Sequence, residues 1–199
     1  MAKVIALMSM SLDGYVADAH DRVDEVFDWY FSGDVEIPMP IPTPDFTFHV
    51  SPPSADHLRS LMAEVGAFLT GRRTFEVADG WGGRHPWDVP AFVLTHDVPE
   101  GWPRPGSTVE FVTDGVESAV ARARAAAGSK SVAVHGAETI QECLDAGLLD
   151  EIQIDLAAVL LGAGVRLFDH LANTPAVLGD PTVVTGVGVT HLRYPVNTL

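Results

Sequence analysis

Two stretches of the chain carry residue types suited to holding an anion, Leu69-Thr70-Gly71-Arg72-Arg73-Thr74 and Val134-His135-Gly136-Ala137-Glu138-Thr139. In each, a short apolar run meets a glycine and then a segment with helical spacing. A helix that starts directly after a strand leaves its first backbone N–H groups unpaired and turns the positive end of its dipole toward whatever lies beyond the sheet edge. At the first stretch Gly71 lets the backbone come close to a phosphate, Arg72 or Arg73 can donate paired hydrogen bonds to it, and Thr74 adds a hydroxyl. The alternative for the two arginines is a surface role beside nearby carboxylates. Ligands of open α/β sheets lie outside the carboxyl ends of the strands, so two such junctions side by side can hold both ends of one dinucleotide. Leu94-Thr95-His96-Asp97 is a third candidate.

Other chemistries have fewer candidates. Asp13, in Ser11-Leu12-Asp13-Gly14, follows an apolar run; a carboxyl at the mouth of an apolar pocket has its pKa raised and suits a general acid, while Asp13-Gly14 reads equally as a plain turn. Cys143 is the single cysteine. It falls on the apolar face of a helix and reads as a small buried side chain rather than a catalytic thiol. A zinc deaminase needs further cysteines, and the eight histidines show no metal spacing such as His-Glu-x-x-His. Gly162-Ala163-Gly164-Val165-Arg166-Leu167 begins like a dinucleotide fingerprint but lacks the third glycine and reads as a turn. Trp81, Trp87 and Trp102 lie among glycines and prolines, where loop packing is the ordinary expectation and pocket lining the lesser alternative.

The formal net charge is −15, with Lys3 and Lys130 the only lysines. Phosphate-backbone or anionic-membrane binding needs a basic surface, so the expected partner is a small molecule, with no nucleic acid and no membrane. The apolar run after Lys3 is too short for a signal sequence, and no run approaches the ~18 residues of a membrane span. With one cysteine and no possible internal disulfide, a cytoplasmic setting is expected.

The elements that must position these groups read as one α/β domain over residues 1–199, with a mostly parallel sheet, flanking helices and an antiparallel end. Strands are expected at Val4 to Met10, Ala67 to Thr70, Ala91 to Leu94, Val109 to Val112 and from Ser131. Another runs from Ile152 through Leu161, and two more lie between Pro181 and Tyr194. Ser54 is a good N-cap for a helix to about Val65, and further helices run over Thr74 to Ala78, Val116 to Ala127 closed by Gly128, and Glu138 to Ala146 before Gly147. Val26, Phe27, Trp29, Tyr30 and Phe31 form a short helix or a pocket wall. Ile37 to Pro44, with proline at every second position, is an extended apolar loop.

Several of these motifs occur together, in the same order, in a known family. Gly71-Arg72-Arg73-Thr74, Val93-Leu94-Thr95 and Gly136-Ala137 resemble the cofactor motifs of dihydrofolate reductases. Met10-Ser11-Leu12-Asp13-Gly14, Gly147-Leu148-Leu149-Asp150-Glu151 and Leu160-Leu161-Gly162-Ala163-Gly164 before Leu167-Phe168 are similar to the reductase half of the bacterial bifunctional riboflavin deaminase/reductase. The resemblance runs from about Lys3 to Phe168 and implies a dihydrofolate-reductase-like fold that binds NADPH across the sheet edge. By matching position, Arg72 and Thr74, with Gly71 and Arg73 beside them, would hold the adenosine-side phosphates, and Thr95 and His96 the ribose 2′-phosphate. Gly136, Ala137, Glu138 and Thr139 after His135 would cradle the pyrophosphate, and Ser9, Val16 and Ala17 would flank the nicotinamide. His135 and Ala137 depart from the family's consecutive glycines, and Glu138 places a negative charge in the helix's first turn, good for the dipole but repulsive towards a pyrophosphate unless its side chain turns away. Asp24 and Asp28 lie where a folate-anchoring carboxylate would be, in no recognisable motif, and His49 is the one basic group near the apolar loop. The implied activity is NADPH-dependent hydride transfer to a small heteroaromatic or carbonyl compound in a homodimer, with Val159-Leu160-Leu161 as the dimer element. The rival is a nucleotide- or ligand-binding protein of the same fold without turnover.

Overall fold

The computed structural model describes residues 2–41 and 47–197, so part of the proline-rich loop expected over 37–44 lies outside the described residues. In chain order the elements are β1 (Val4–Ser11), β2 (Tyr15–Ala17), α1 (Asp24–Phe27) with a 3₁₀ turn (Asp28–Phe31), β3 (Val35–Ile37), β4 (Phe48–Val50), α2 (Pro52–Glu64), β5 (Val65–Gly71) and α3 (Arg72–Val77). A second 3₁₀ turn (Asp79–Gly83) precedes β6 (Ala91–Leu94), β7 (Val109–Val112), α4 (Val116–Ala127), β8 (Ser131–His135), α5 (Ala137–Asp145), β9 (Glu151–Ala157), β10 (Val165–Arg166), β11 (Thr182–Thr185) and β12 (Val189–Pro195).

Eight strands form one sheet in the order β11-β12-β9-β1-β8-β5-β6-β7. Pairings from β9 to β7 are parallel, and β12 and β11 close the other end antiparallel. The fold is the mixed, mostly parallel α/β architecture expected. Its central strands are covered on both faces, which is why they read as unbroken apolar runs. On one face Ala6, Met8, Val132, Val134, Ile152 and Ile154 meet α4 and α5 through Ala119, Val120, Ile140 and Cys143. On the other, Leu7, Phe68 and Ala133 pack with Leu61 and Phe75, and Trp81, Trp87 and Trp102 lie at the margin. The cis-sheet neighbours of α2, Ala157 and Val189, join Trp29, Ile37, Val50 and Leu58 in a third cluster.

Local chemistry sets the element ends. After α5, Gly147 takes φ 65°, its N–H bonds to Leu144 O and Leu148 N–H bonds to Cys143 O, which is the Schellman arrangement the glycine foretold. Three boundaries differ from expectation. The N-cap of α2 is Ser51, not Ser54, because Pro52 and Pro53 occupy the first two helical positions, where a missing N–H costs nothing. Ser54 is thereby released to face the interior. The helix after β5 begins at Arg72 rather than Thr74, which puts both arginines in its first turn. Strand β9 stops at Ala157 rather than Leu161: Val159 O accepts from Leu12 N–H, and Leu161 and Gly162 donate to the Asp13 carboxylate. The backbone bonds of this segment therefore go to the β1–β2 turn instead of the sheet. Among the described residues no helix is long and apolar enough to cross a membrane.

Candidate active site

The two glycine junctions are neighbours because β5 pairs with β8, with Leu69 opposite Val134 and Thr70 opposite His135. Thr70 Oγ1 donates to His135 O at 3.0 Å. Each glycine makes room for a threonine of the opposite junction: a Cβ on Gly71 would stand 2.7 Å from Thr139 Oγ1, and one on Gly136 would stand 2.7 Å from Thr74 Oγ1. Gly136 also holds φ 92°, a conformation that side chains disfavour. As the N-cap of α5 it supplies no side-chain acceptor, so the first-turn N–H groups of Ala137, Glu138 and Thr139 remain available to a ligand. Glu138 is exposed, whereas Ala137 and Thr139 are buried.

The third strand end joins the same edge. Arg72 Nη1 and Thr95 Oγ1 both donate to Asp97 O, at 3.0 and 2.9 Å, which ties the β5 and β6 ends together. Arg72 Nε bonds Glu76 at 2.5 Å, and Arg73 pairs with Asp21, so both arginines have the carboxylate partners of the surface reading. His96 is exposed; burial, with the neighbouring Glu138 charge, raises the Glu142 carboxyl. Val16 is buried against the β1 core. Ala17 lies in β2 opposite Val165, and its carbonyl passes so near Gly164 that a Cβ there would stand 2.0 Å from it. That contact, not a dinucleotide fingerprint, accounts for the second glycine of Gly162-Ala163-Gly164.

Beside this edge, on the α2 face of the sheet, lies a cavity of about 140 Å³ whose lining includes Ser9, Tyr30, Phe68, His85, His135 and Asp155. Trp81 and Trp87 line it too, the lesser of the two roles expected for them. Phe27 and Tyr30 show that the aromatic cluster is both a short helical segment and a pocket wall. Tyr30 is stacked between Trp29, at 3.8 Å, and Phe48, at 4.2 Å between ring centroids. Trp29 Nε1 donates to Ser9 Oγ at 3.1 Å.

Protonation states follow from burial and partners. Burial, reinforced by the Asp155 charge, holds the Tyr30 phenol well above its ordinary value, against a hydrogen bond with Ser9. Burial pushes His85 down to about 3, and its ring stacks on Phe68 at 4.1 Å. His135 is pushed by burial down to about 4, with Asp155 opposing, and its buried Nδ1 has no hydrogen-bond partner. Burial raises the Asp155 carboxyl, but the hydrogen bond from His191 and the nearby His57 imidazole outweigh it and the net direction is down. At neutral pH the described residues of the cavity therefore present aromatic faces, neutral imidazoles, a protonated phenol and the carboxylate of Asp155. Such a slot suits a planar ring with polar edges.

Asp13 departs from the general-acid expectation. Its carboxylate accepts from Ser11 Oγ at 2.6 Å, Gly162 N–H at 2.7 Å and Leu161 N–H at 3.1 Å. Led by the Ser11 bond, these bring its pKa down to about 2, opposite to the rise a proton donor needs, and Asp13 is absent from the cavity lining. It fastens the 159–162 segment to the β1–β2 turn. Asp24 and Asp28 do not line the cavity either; among the described residues the carboxylate there is Asp155. A signal for it existed in the sequence: Ile152 and Ile154 alternate with Gln153 and Asp155, so one face of β9 had to carry polar groups. Cys143 is fully buried, and its thiol is pushed up to about 12, chiefly by burial, in keeping with an unreactive core residue.

Residues 2–194 match the family model of the RibD C-terminal domain. Among solved structures, a riboflavin biosynthesis protein from Shewanella sp. PV-4, itself described as putative, is 27% identical, covers 99% of both chains and superposes with a TM-score of 0.67. The riboflavin biosynthesis reductase Rib7 of Saccharomyces cerevisiae is 14% identical over 98% of this chain and 90% of its own, with a TM-score of 0.60. Dihydrofolate reductase from Enterococcus faecalis, complexed with NADP(H), is 14% identical over 98% and 96%, with a TM-score of 0.56. No curated protein matches the sequence. The strand order, the paired glycine junctions and the match over nearly the whole length place this chain in the RibD C-terminal domain family, whose fold is that of the dihydrofolate reductases.

Proposed function

We propose that this protein is an NADPH-dependent reductase that delivers hydride to a small heteroaromatic or carbonyl compound. The observation that carries the proposal is the interlocked pair of junctions, in which Gly71 and Gly136 yield space to Thr139 and Thr74 at the open edge beside an aromatic cavity. The residues fit the cofactor: the N-cap of α5 has no side-chain cap, which leaves backbone donors for a pyrophosphate. Gly136, Ala137, Glu138 and Thr139 would hold that group, and Gly71, Arg72, Arg73, Thr74, Thr95 and His96 would hold the adenosine side. Ser9, Val16 and Ala17 would flank the nicotinamide, with His135 at the cavity wall.

Bound NADPH supplies a hydride from its nicotinamide ring. The chain supplies position and a dry wall: Tyr30, Phe68 and Trp81 offer ring faces for a flat substrate and exclude water from it. Asp13 has no part in this reading.

A screen of quinones, pterins and pyrimidine-type carbonyls for oxidation of NADPH, followed at its near-ultraviolet absorbance, tests turnover. Oxidation that requires both protein and acceptor is expected for at least one class. Binding of NADPH with no turnover of any acceptor would favour the binding-protein reading instead.

A further inference from the structure

The wall of the cavity leads into a buried cluster that the reductase reading leaves unused. His57 of α2, Asp155 of β9 and His191 of β12 each bring one ligand atom to within 4.8 Å of the other two. The antiparallel register sets His191 opposite Asp155, and α2 lays the His57 ring over the His191 ring at 4.2 Å between centroids. His191 Nδ1 lies 2.7 Å from Asp155 Oδ1, and His57 Nε2 lies 3.6 Å from the same oxygen. Of the cluster's atoms, His57 Nε2 is buried without a hydrogen-bond partner; the neighbouring Gln153, 1% exposed, donates Nε2–H to Asp155 Oδ1 at 3.1 Å and leaves its own Oε1 unpartnered. Orphaned buried polar atoms are costly unless something that is bound satisfies them.

We propose that His57, Asp155 and His191 form a binding site for a divalent transition-metal ion, with Zn²⁺ the closest chemical match. Two imidazoles and one carboxylate are the donor set that such ions favour over Mg²⁺ or Ca²⁺, which take oxygen ligands. Bonds of about 2.0–2.2 Å to a tetrahedral zinc ion put neighbouring ligand atoms roughly 3.3–3.6 Å apart. The His57–Asp155 separation of 3.6 Å stands at the upper end of that spacing, and the His57 ring, stacked on that of His191 at an interplanar angle of 21°, must turn about its Cβ–Cγ bond for both in-plane lone pairs to reach one ion. The closer His191–Asp155 contact is the length of a hydrogen bond, and it opens by under an ångström when the metal takes the place of the shared proton. The ring proton then resides on His191 Nε2, where Ser54 Oγ stands 2.9 Å away to accept it. That hydroxyl is available because the α2 N-cap is Ser51, whose own Oγ bonds Ser54 at 3.1 Å. A partner on the far nitrogen that fixes the tautomer is the usual support of a metal-bound histidine. Because Asp155 also lines the cavity, an ion held there would lie beside the space assigned to substrate. The proposal does not depend on the cofactor reading.

The test is calorimetric titration of Zn²⁺ into chelator-treated full-length protein, with Co²⁺ followed in parallel through its visible d–d absorption. One equivalent is expected to bind with micromolar or tighter affinity and to raise the melting temperature, and Co²⁺ should give the intense visible bands of a low-coordinate nitrogen and oxygen site. His57→Ala, on a part-exposed helix surface, and His191→Ala should each abolish that step, and Ser54→Ala should weaken it about 10- to 100-fold, with folding checked by circular dichroism. Absence of one-to-one binding in the unaltered protein would overturn the proposal. So would binding that persists in folded His57→Ala and is lost instead when the exposed His20, His49, His96 and His170 are replaced.

Discussion

Gly136 joins the sequence motif to the site through a single hydrogen atom in place of a side chain. Its φ of 92° and the Thr74 hydroxyl 2.7 Å from where a Cβ would stand predict that Gly136→Ala loses about 1–3 kcal/mol of stability and most of its NADPH affinity. Gly147→Ala, at φ 65° with open space around the new Cβ, is the control. It should lose about 1–2 kcal/mol and keep the affinity, as denaturant melts and cofactor titration of the two variants would show. His85 makes a second prediction at this scale. Its Nδ1 accepts from Trp87 N–H at 3.2 Å, a bond open only to the uncharged ring, and burial holds its pKa near 3 against an ordinary 6.5. The unfolded chain takes up the proton first as pH falls. His85 is therefore neutral in both states above about pH 6.5, and stability is lost as pH drops from there toward 3, by about 1.4 kcal/mol per unit. Denaturant melts of His85→Gln and the unaltered protein between pH 6.5 and 4 should diverge by that slope, the unaltered protein falling faster.

At the scale of elements, the coupling between β5 and β8 holds the two junctions in register. Thr70 is fully buried, and its hydroxyl bridges to His135 O. Thr70→Val keeps the shape and removes the bridge, so a loss of about 1 kcal/mol is expected in denaturant melts together with weaker NADPH binding. The junctions were legible in the sequence because their signals are local: a short apolar run, a glycine and a helix start fall within six consecutive residues. The Schellman turn at Gly147 was legible for the same reason. The end of β9 was not, because the apolar run Val159-Leu160-Leu161 reads as strand until Asp13, distant in sequence, takes the N–H groups of Leu161 and Gly162. Nor was the polar cluster, whose members come from α2, β9 and β12. Only the antiparallel return of β12 brings His191 beside Asp155, and no spacing within one segment records that.

For the whole molecule, the covered central sheet and the open carboxyl edge divide the chain into a scaffold and a site. The proposed homodimer belongs to this scale. Leu12 and Leu160, 64% and 68% exposed, stand on segments joined by the Leu12 N–H to Val159 O bond and would be covered by a second copy in the homodimer that the family resemblance implies. Leu160→Asp should shift sedimentation from dimer to monomer, and a protein already monomeric at working concentration would remove this part of the reading. The central claim is the cofactor. Trp81 and Trp87 line the cavity, so titration with NADPH and with NADH, followed by tryptophan fluorescence, reports on it directly. A saturable change with NADPH at one equivalent per chain, weakened in Gly136→Ala, is the expected result; no binding of either nucleotide at millimolar concentration would contradict the account.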